Sequence, residues 1–125
     1  MTVYDRSFSP PAPLALVTLR HPTTNVSISG VSLQIDTGAD VTLLPDNSVR
    51  QLGVLEESGL YELQGFGESL VFAPAFRLHL IFLGRSFKGK YAVIEGSEGV
   101  LGRDVLNRLA LVFDGPALSW GEAQK

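Results

Sequence analysis

The sequence predicts an all-β domain with one principal helix near its C-terminal end and a possible short second helix before its middle. Three observations carry this prediction. Short stretches that alternate apolar and polar residues recur along the chain, glycine-rich turns separate them, and helical spacing occurs over residues 102–109. A chain of 125 residues is expected to form one domain, since at this size about two-thirds of the unfolded surface can be buried.

The N-terminal residues 1–13 are predicted to form an arm outside the core. Three prolines among residues 7–13 favour extended or polyproline geometry. The folded domain is expected to span residues 14–120, and residues 121–125 are expected to form a tail. The first strand is predicted over residues 14–20, and His21-Pro22-Thr23-Thr24-Asn25 is predicted to interrupt it as a turn or bulge.

Two alternating stretches follow, residues 26–28 and 31–35. Ser29 and Gly30 between them have the composition of a two-residue turn, so a hairpin is predicted that delivers Asp36. A further strand over residues 41–44 is expected to close at Pro45. Asp46 or Asn47 could then cap a short helix through Leu52, with Gly53 as its C-terminal stop.

The second half of the chain continues the strand pattern. Residues 60–64 and 70–72 flank the glycine-rich segment 65–69 and predict a hairpin. Strands are predicted over residues 76–83 and 87–94, and helical spacing over residues 102–109. The remaining strands, residues 110–113 and 117–120, are expected to pair across the turn Asp114-Gly115-Pro116.

The segment Asp36-Thr37-Gly38 follows directly on the apolar strand Leu33-Gln34-Ile35. Asp is disfavoured in strands, and an unpartnered charge beside a core is costly, so this carboxylate needs a local reason to be there. Thr37 supplies a hydroxyl, and Gly38 lets the backbone turn tightly enough to bring N–H groups close to the carboxylate. The alternative is a turn aspartate that only bonds its own loop.

A second element lies far downstream, Gly99-Val100-Leu101-Gly102-Arg103-Asp104-Val105-Leu106. Together with Asp36-Thr37-Gly38-Ala39-Asp40, it resembles the motifs of the retroviral-type aspartic proteases, the retropepsins. The resemblance spans about positions 14–113. It implies a closed β-barrel that corresponds to half of an acid protease. The longer segment after Leu44 and the C-terminal hairpin that ends at Trp120 are more similar to cellular and bacterial retropepsin-like domains.

The resemblance also implies roles for particular residues. The catalytic loop would be Asp36, Thr37 and Gly38. Substrate-binding and flap residues would be Ala39, Asp40, Gly65, Phe66 and Gly67. Asp40 would pair with Arg103, and Gly102 would support the loop. The alternatives are solvated surface charges for Asp40 and Arg103, and an ordinary hairpin loop for residues 65–67.

Aspartic proteolysis needs two carboxylates about 3 Å apart that share one proton. This chain has one Asp-Thr-Gly segment, so the second Asp36 is expected from a second copy on a two-fold axis. The expected partners are therefore a peptide or protein substrate and the chain itself. The 45% hydrophobic content favours self-association independently.

Composition argues against other classes of function. The net charge is −3 and no Lys/Arg cluster occurs, so we expect no nucleic-acid partner. The first long apolar run, residues 14–17, is too short for a signal or membrane segment, so we expect a cytoplasmic protein without a membrane partner. No cysteine and only two histidines occur, so we expect neither a metal nor another cofactor.

Two other functions stay open at this point. A relative without catalytic activity could bind extended peptide in the same cleft. Residues 84–90 fit the first part of a phosphate-binding loop, but Tyr91 occupies the Ser/Thr position and an apolar strand follows, so a basic hairpin is predicted. His79 lies between Leu78 and Leu80 and is predicted to be a strand residue and not a base.

Overall fold

The computed structural model describes residues 1–64 and 70–124. The strands are β1 (Thr2–Val3), β2 (Leu14–Arg20), β3 (Ser27–Ile35), β4 (Leu43–Pro45), β5 (Glu56–Gln64), β6 (Leu70–Phe82), β7 (Arg85–Ile94), β8 (Glu98–Leu101), β9 (Leu111–Asp114) and β10 (Ser119–Glu122). The helices are α1 (Asp46–Leu52) and α2 (Arg103–Leu106).

Six strands form a closed barrel. They follow the order β2-β3-β8-β4-β7-β6, and an additional pairing between β2 and β6 closes the ring. Strand β5 pairs with the outer part of β6, where the two form a hairpin. The predicted all-β fold and closed barrel are confirmed. Because the ring is closed, none of its six strands is an edge strand along its whole length.

The barrel interior is filled mainly by leucines. Each barrel strand except β7 contributes at least one leucine with no exposed surface, and β7 contributes the buried Phe87 and Tyr91. Helix α1 adds Val49 and Leu52 to the same core. Full burial of each such side chain contributes about 1.5–3 kcal/mol to the free energy of unfolding. This packed core fixes the positions of the strand ends from which the loops extend.

The predicted hairpin turn at Ser29 and Gly30 is wrong. Strand β3 runs without a break through both residues, and the turn lies between β2 and β3 instead. Val17 pairs with Val31 but Leu19 pairs with Ile28, so β3 carries one extra residue at this point. Gly30 accommodates it with a positive φ of 73°, as a β-bulge requires.

Strand β8 was not predicted, because its residues were interpreted as the segment that leads into the C-terminal helix. It lies between β3, to which it is parallel, and β4, to which it is antiparallel. Gly99 makes this possible. A Cβ at that position would lie 2.7 Å from Leu33 Cδ2 and would overlap the carbonyl oxygen of Leu43. Only glycine allows the three strands to approach this closely.

The helices differ from the prediction in length. Helix α2 covers four residues and not 102–109, and α1 with seven residues is the longer one. The turn after α2 tightens, since Arg108 N–H donates to Val105 O and Leu109 N–H to Leu106 O. Helix α1 ends at Gly53 as predicted, but neither Asp46 nor Asn47 caps it, because Pro45 precedes its first turn. Among the described residues, no helix has the length and apolar character to span a bilayer.

Strand β6 unites two predicted strands, residues 70–72 and 76–83, into one. Pro74 lies within it and pairs with Leu60 of β5. The pairing of β6 with β7 begins only at Ala75. The N–H that proline lacks is therefore not needed at this position.

A second, three-stranded sheet has the order β1-β10-β9. Its formation shows that the N-terminal segment is attached to the domain, contrary to the expectation of an arm outside the core. Strand β1 pairs with β10, Asp5 bridges to Ala12, and Ala12 is buried. Strand β10 extends to Glu122, into the predicted tail. The boundaries at residues 14 and 120 stay predictions.

Candidate active site

Asp36 lies where β3 leaves the barrel, and its side chain is exposed. Its backbone N–H donates to Leu101 O at 3.1 Å, which extends the parallel pairing of β3 with β8 by one residue. The carboxylate oxygen Oδ1 accepts the N–H of Gly38 at 2.8 Å. Ala39 N–H donates to Asp36 O at 3.2 Å and closes the turn. A rigid strand end and a tight turn thus present one carboxylate to solvent.

Arg103, the first residue of α2, holds this loop from the other side. Its backbone N–H donates to Ala39 O at 2.9 Å, and its guanidinium Nη1 donates to Thr37 O at 2.8 Å. Two backbone carbonyls of the loop are therefore bound by one residue. The position of Asp36 then depends on α2, which lies 66 residues further along the chain than Thr37.

The predicted pair between Asp40 and Arg103 is wrong. Among the described residues, Asp40 takes part in no ion pair or hydrogen bond, and its side chain is exposed. The physical reason is that the guanidinium of Arg103 donates to the backbone carbonyl of Thr37 instead. Asp40 stays exposed to solvent. Arg103 still supports the loop, although through Thr37.

Asp104 and Thr42 form the charged contact that sequence reasoning missed. Thr42 is 1% exposed, and its N–H and Oγ1 donate to the carboxylate of Asp104 at 3.1 and 2.7 Å. Asp104 also accepts the N–H of Val105 at 3.0 Å. A buried threonine after the apolar Val41 was the only sequence signal, and it did not identify the partner.

Gly102 lies in the middle of this network. Its N–H donates to Thr42 Oγ1 at 3.0 Å, so the hydroxyl both accepts and donates. A Cβ on Gly102 would lie 2.5 Å from the carbonyl carbon of Val41. The glycine is therefore required for the close approach of the two loops.

An apolar groove of about 180 Å³ begins beside the Asp36 loop. Its lining consists of Thr37 and five residues that follow α2 or lie on it and on β9, namely Leu106, Asn107, Leu109, Leu111 and Phe113. The groove therefore connects the Asp36 loop to the three-stranded sheet. No sequence pattern pointed to it.

The predicted flap residues Gly65, Phe66 and Gly67 lie outside the described residues. The hairpin that carries them is described up to Gln64 and from Leu70. Near the base of this hairpin, Arg77 Nε donates to Glu57 Oε1 at 2.7 Å, and this hydrogen bond lowers the pKa of Glu57. This contact joins the beginning of β5 to β6.

The two other motifs considered in the sequence, residues 84–90 and His79, lie in ordinary turn and strand positions. Residues 84–90 form a β-turn and the start of β7, with no helix after them, so the predicted hairpin is confirmed. His79 lies on β6 between Arg20 and Lys88 of the neighbouring strands. Burial, Lys88 and Arg20 together hold its pKa below the usual 6.5. In the described part of the chain, no cluster of three His, Asp or Glu residues could hold a metal ion.

Comparisons with protein-family profiles and with curated proteins give no match. Among solved structures, the EIAV protease in complex with the inhibitor HBY-793 is similar, with a TM-score of 0.55 and 22% identity over 78% of this chain and 86% of that chain. The prototype foamy virus protease-reverse transcriptase aligns with a TM-score of 0.43 and 15% identity over 89% of this chain and 12% of that chain. The chain has the retropepsin-like fold. A fold alone does not establish an activity.

Proposed function

We propose that the chain is a homodimeric aspartic endopeptidase, in which two Asp36 carboxylates, one from each subunit, hydrolyse peptide bonds. The observation that carries the proposal is the exposed Asp36 carboxylate on a loop held by Gly38, Leu101 and Arg103. Oδ1 is occupied by the N–H of Gly38, and among the described residues Oδ2 has no hydrogen bond. One oxygen orients the group and the other is available for chemistry.

The proposed reaction uses water as the nucleophile. Two carboxylates about 3 Å apart hold one proton between them. The ionised one takes a proton from water, whose oxygen adds to the peptide carbonyl carbon, while the protonated one donates to the carbonyl oxygen. The tetrahedral intermediate then loses the amine, which leaves with a proton, and a carboxylic acid forms. The proton transfers of this reaction balance with the two carboxylates and water alone.

The Asp-Thr-Gly segment occurs once in the chain, so the second such carboxylate is assigned to the partner's Asp36. Four of the other aspartates already accept hydrogen bonds: Asp5, Asp46 and Asp114 from residues two to four positions away, and Asp104 from Thr42. Among the described residues, Asp40 is exposed and has no hydrogen bond or ion pair. We therefore assign Asp40, with Ala39, to substrate binding, together with the flap residues 65–67.

Cleavage of a peptide library is the test of this function. We expect hydrolysis products, inhibition by a pepstatin-like compound, and specific activity that falls once dilution reaches the dimer dissociation constant. Peptide binding without products would favour the inactive binding module. Full activity per subunit in a chain shown by ultracentrifugation to be monomeric would contradict the shared-carboxylate mechanism.

The pH profile of cleavage gives a separate prediction. Because the active form holds a single proton on the carboxylate pair, kcat/KM should be bell-shaped with a maximum at about pH 4–6. The rate should fall towards neutral pH as the shared proton is lost. A rate that keeps rising above pH 7 would contradict the mechanism.

Stability must be measured alongside that profile. The pKa of His79 is lowered in the fold, so the unfolded chain takes up a proton at higher pH than the folded chain does. The free energy of unfolding should therefore fall as pH decreases through about 6.5. Urea unfolding at each pH separates this loss from the titration of the carboxylate pair.

A further inference from the structure

Basic side chains from three barrel strands meet on the outer wall of the barrel. They form what we call the basic face, which consists of Arg20 of β2, Arg77 and His79 of β6, and Lys88 and Lys90 of β7. His79 pairs with Arg20 on one side and with Lys88 on the other, and Arg77 pairs with Lys90. On β6 they alternate with fully buried leucines, so they face outwards. Four of the chain's ten lysines and arginines thus lie together, where the sequence showed no cluster.

This arrangement places like charges beside one another. Side chains directly opposite on neighbouring strands have Cβ atoms about 4.5–5.5 Å apart, and like charges in such pairs are destabilising. Arg20 and Lys88 have no hydrogen bond or ion pair with any described residue. Burial, together with Lys88 and Arg20, lowers the pKa of His79, which agrees with this proximity. A negatively charged ligand across these side chains would offset their repulsion.

An apolar pocket of about 280 Å³ adjoins the basic face. Its lining includes Pro22, Val54 and Leu55, and also Arg77 with its hydrogen-bond partner Glu57. Arg77 belongs to the basic face as well, so the two surfaces are continuous. Leu55 is 86% exposed, which leaves a large apolar side chain open to contact beside the cations. The combined surface therefore suits a partner that carries both negative charge and an apolar side chain.

We propose that the basic face and this pocket form a docking surface for an extended protein segment in which acidic residues accompany an apolar one. The carboxylates lie across Arg20, His79 and Lys88, and the apolar side chain enters the pocket at Leu55. A nucleic acid fits less well, because single strands bind largely by stacking on aromatic side chains. No Phe, Tyr or Trp is among the described residues that line the pocket. The surface contains none of the proposed catalytic residues, so this proposal does not depend on the proposed function.

Binding of a fluorescein-labelled peptide of alternating glutamate and leucine tests the proposal. Fluorescence anisotropy is measured with the Asp36→Asn variant of the full chain, so that cleavage cannot consume the peptide. We expect saturable binding that weakens at least about tenfold when the ionic strength rises from about 0.05 M to about 0.5 M, because the charges on this face are exposed. The counterpart peptide with glutamine in place of glutamate should not bind.

Substitutions at exposed positions locate the contact. Arg20→Gln and Lys88→Gln should each weaken binding by about two- to fivefold, and both together by about tenfold. Arg85→Gln is the matched control, since it removes one positive charge from the same strand as Lys88 but from a residue that pairs with Glu122. It should bind the peptide as well as the Asp36→Asn background does. Leu55→Ser should weaken binding of this peptide but not of a peptide of alternating glutamate and serine.

The proton NMR signal of His79 gives a second readout of location. The charged groups around this imidazole are Arg20 of β2, Lys88 and Lys90 of β7, and Arg77 of β6, which bonds Glu57 of β5. Bound carboxylates favour the imidazolium, so the pKa of His79 should rise when the peptide is present. His79→Gln assigns the signal, because the chain has only one other histidine.

Three results would each overturn the docking surface. They are no binding of the acidic peptide, equal binding of its glutamine counterpart, and equal effects of Arg85→Gln and Lys88→Gln. Tighter binding of single-stranded oligothymidylate than of the peptide would overturn the protein segment as the partner and assign the basic face to nucleic acid. Because binding is measured without cleavage, failure of this proposal and failure of the proposed protease activity are distinguished.

Discussion

Asp36→Asn is expected to lower kcat/KM for peptide cleavage by at least about a thousandfold while the dimer stays folded. Asparagine keeps the Oδ1 acceptor, so the 2.8 Å bond from Gly38 N–H can persist. What it loses is the ability to take a proton from water. The change also removes the repulsion between two close carboxylates, so dimer dissociation should not increase. Cleavage rates and sedimentation of the purified variant measure both effects.

Asp5→Asn is a matched control for this experiment. Asp5 forms the same local turn, in which Ser7 N–H donates to Asp5 Oδ1 at 2.8 Å, but it lies outside the proposed site. Its variant should cleave peptides at the wild-type rate. Mixing wild type with excess Asp36→Asn should further reduce activity, since heterodimers hold a single Asp36 carboxylate. Undiminished cleavage by purified Asp36→Asn would show that Asp36 does not carry the reaction.

Asp104→Ala is expected to have the largest effect on stability, a loss of about 2–3 kcal/mol in the free energy of unfolding. The variant leaves two donors of the buried Thr42 without an acceptor, its N–H and its hydroxyl. It also removes the bond that orients the Thr42 hydroxyl, whose oxygen accepts the Gly102 N–H. Cleavage should fall as well, because α2 holds the Asp36 loop. Urea unfolding at one fixed protein concentration measures the loss, since a dimer's stability depends on concentration.

Asp40→Ala is the contrasting variant. Asp40 is exposed and has no bond among the described residues, so its loss should change the free energy of unfolding by less than about 0.5 kcal/mol. Asp104→Asn should recover part of the stability because it retains an acceptor. Thr42→Val combined with Asp104→Ala should cost less than the two single changes added together. Additive effects, or equal losses for Asp40→Ala and Asp104→Ala, would contradict the assigned network.

The sequence identified the features that depend on neighbouring residues. Alternation predicted the strands around Asp36, and the glycine after Leu52 correctly marked the end of α1. The Asp-Thr-Gly turn follows from three adjacent residues, since a short acidic side chain and a glycine suffice to form it. The downstream Gly102 and Arg103 were recognised from their resemblance to retropepsin motifs. The closed barrel that this resemblance implied is the one observed.

Only the tertiary structure decided which distant residues meet. Arg103 binds Thr37 and not Asp40, and Asp104 binds Thr42 across 62 residues, because β8 inserts between β3 and β4 and places α2 against the loop. Ser29 and Gly30 form a bulge and not a turn because β2 pairs with both halves of β3. Alternation and turn composition constrain a backbone locally. The choice of neighbouring strands, and with it the partner of each charge, depends on how the whole barrel closes.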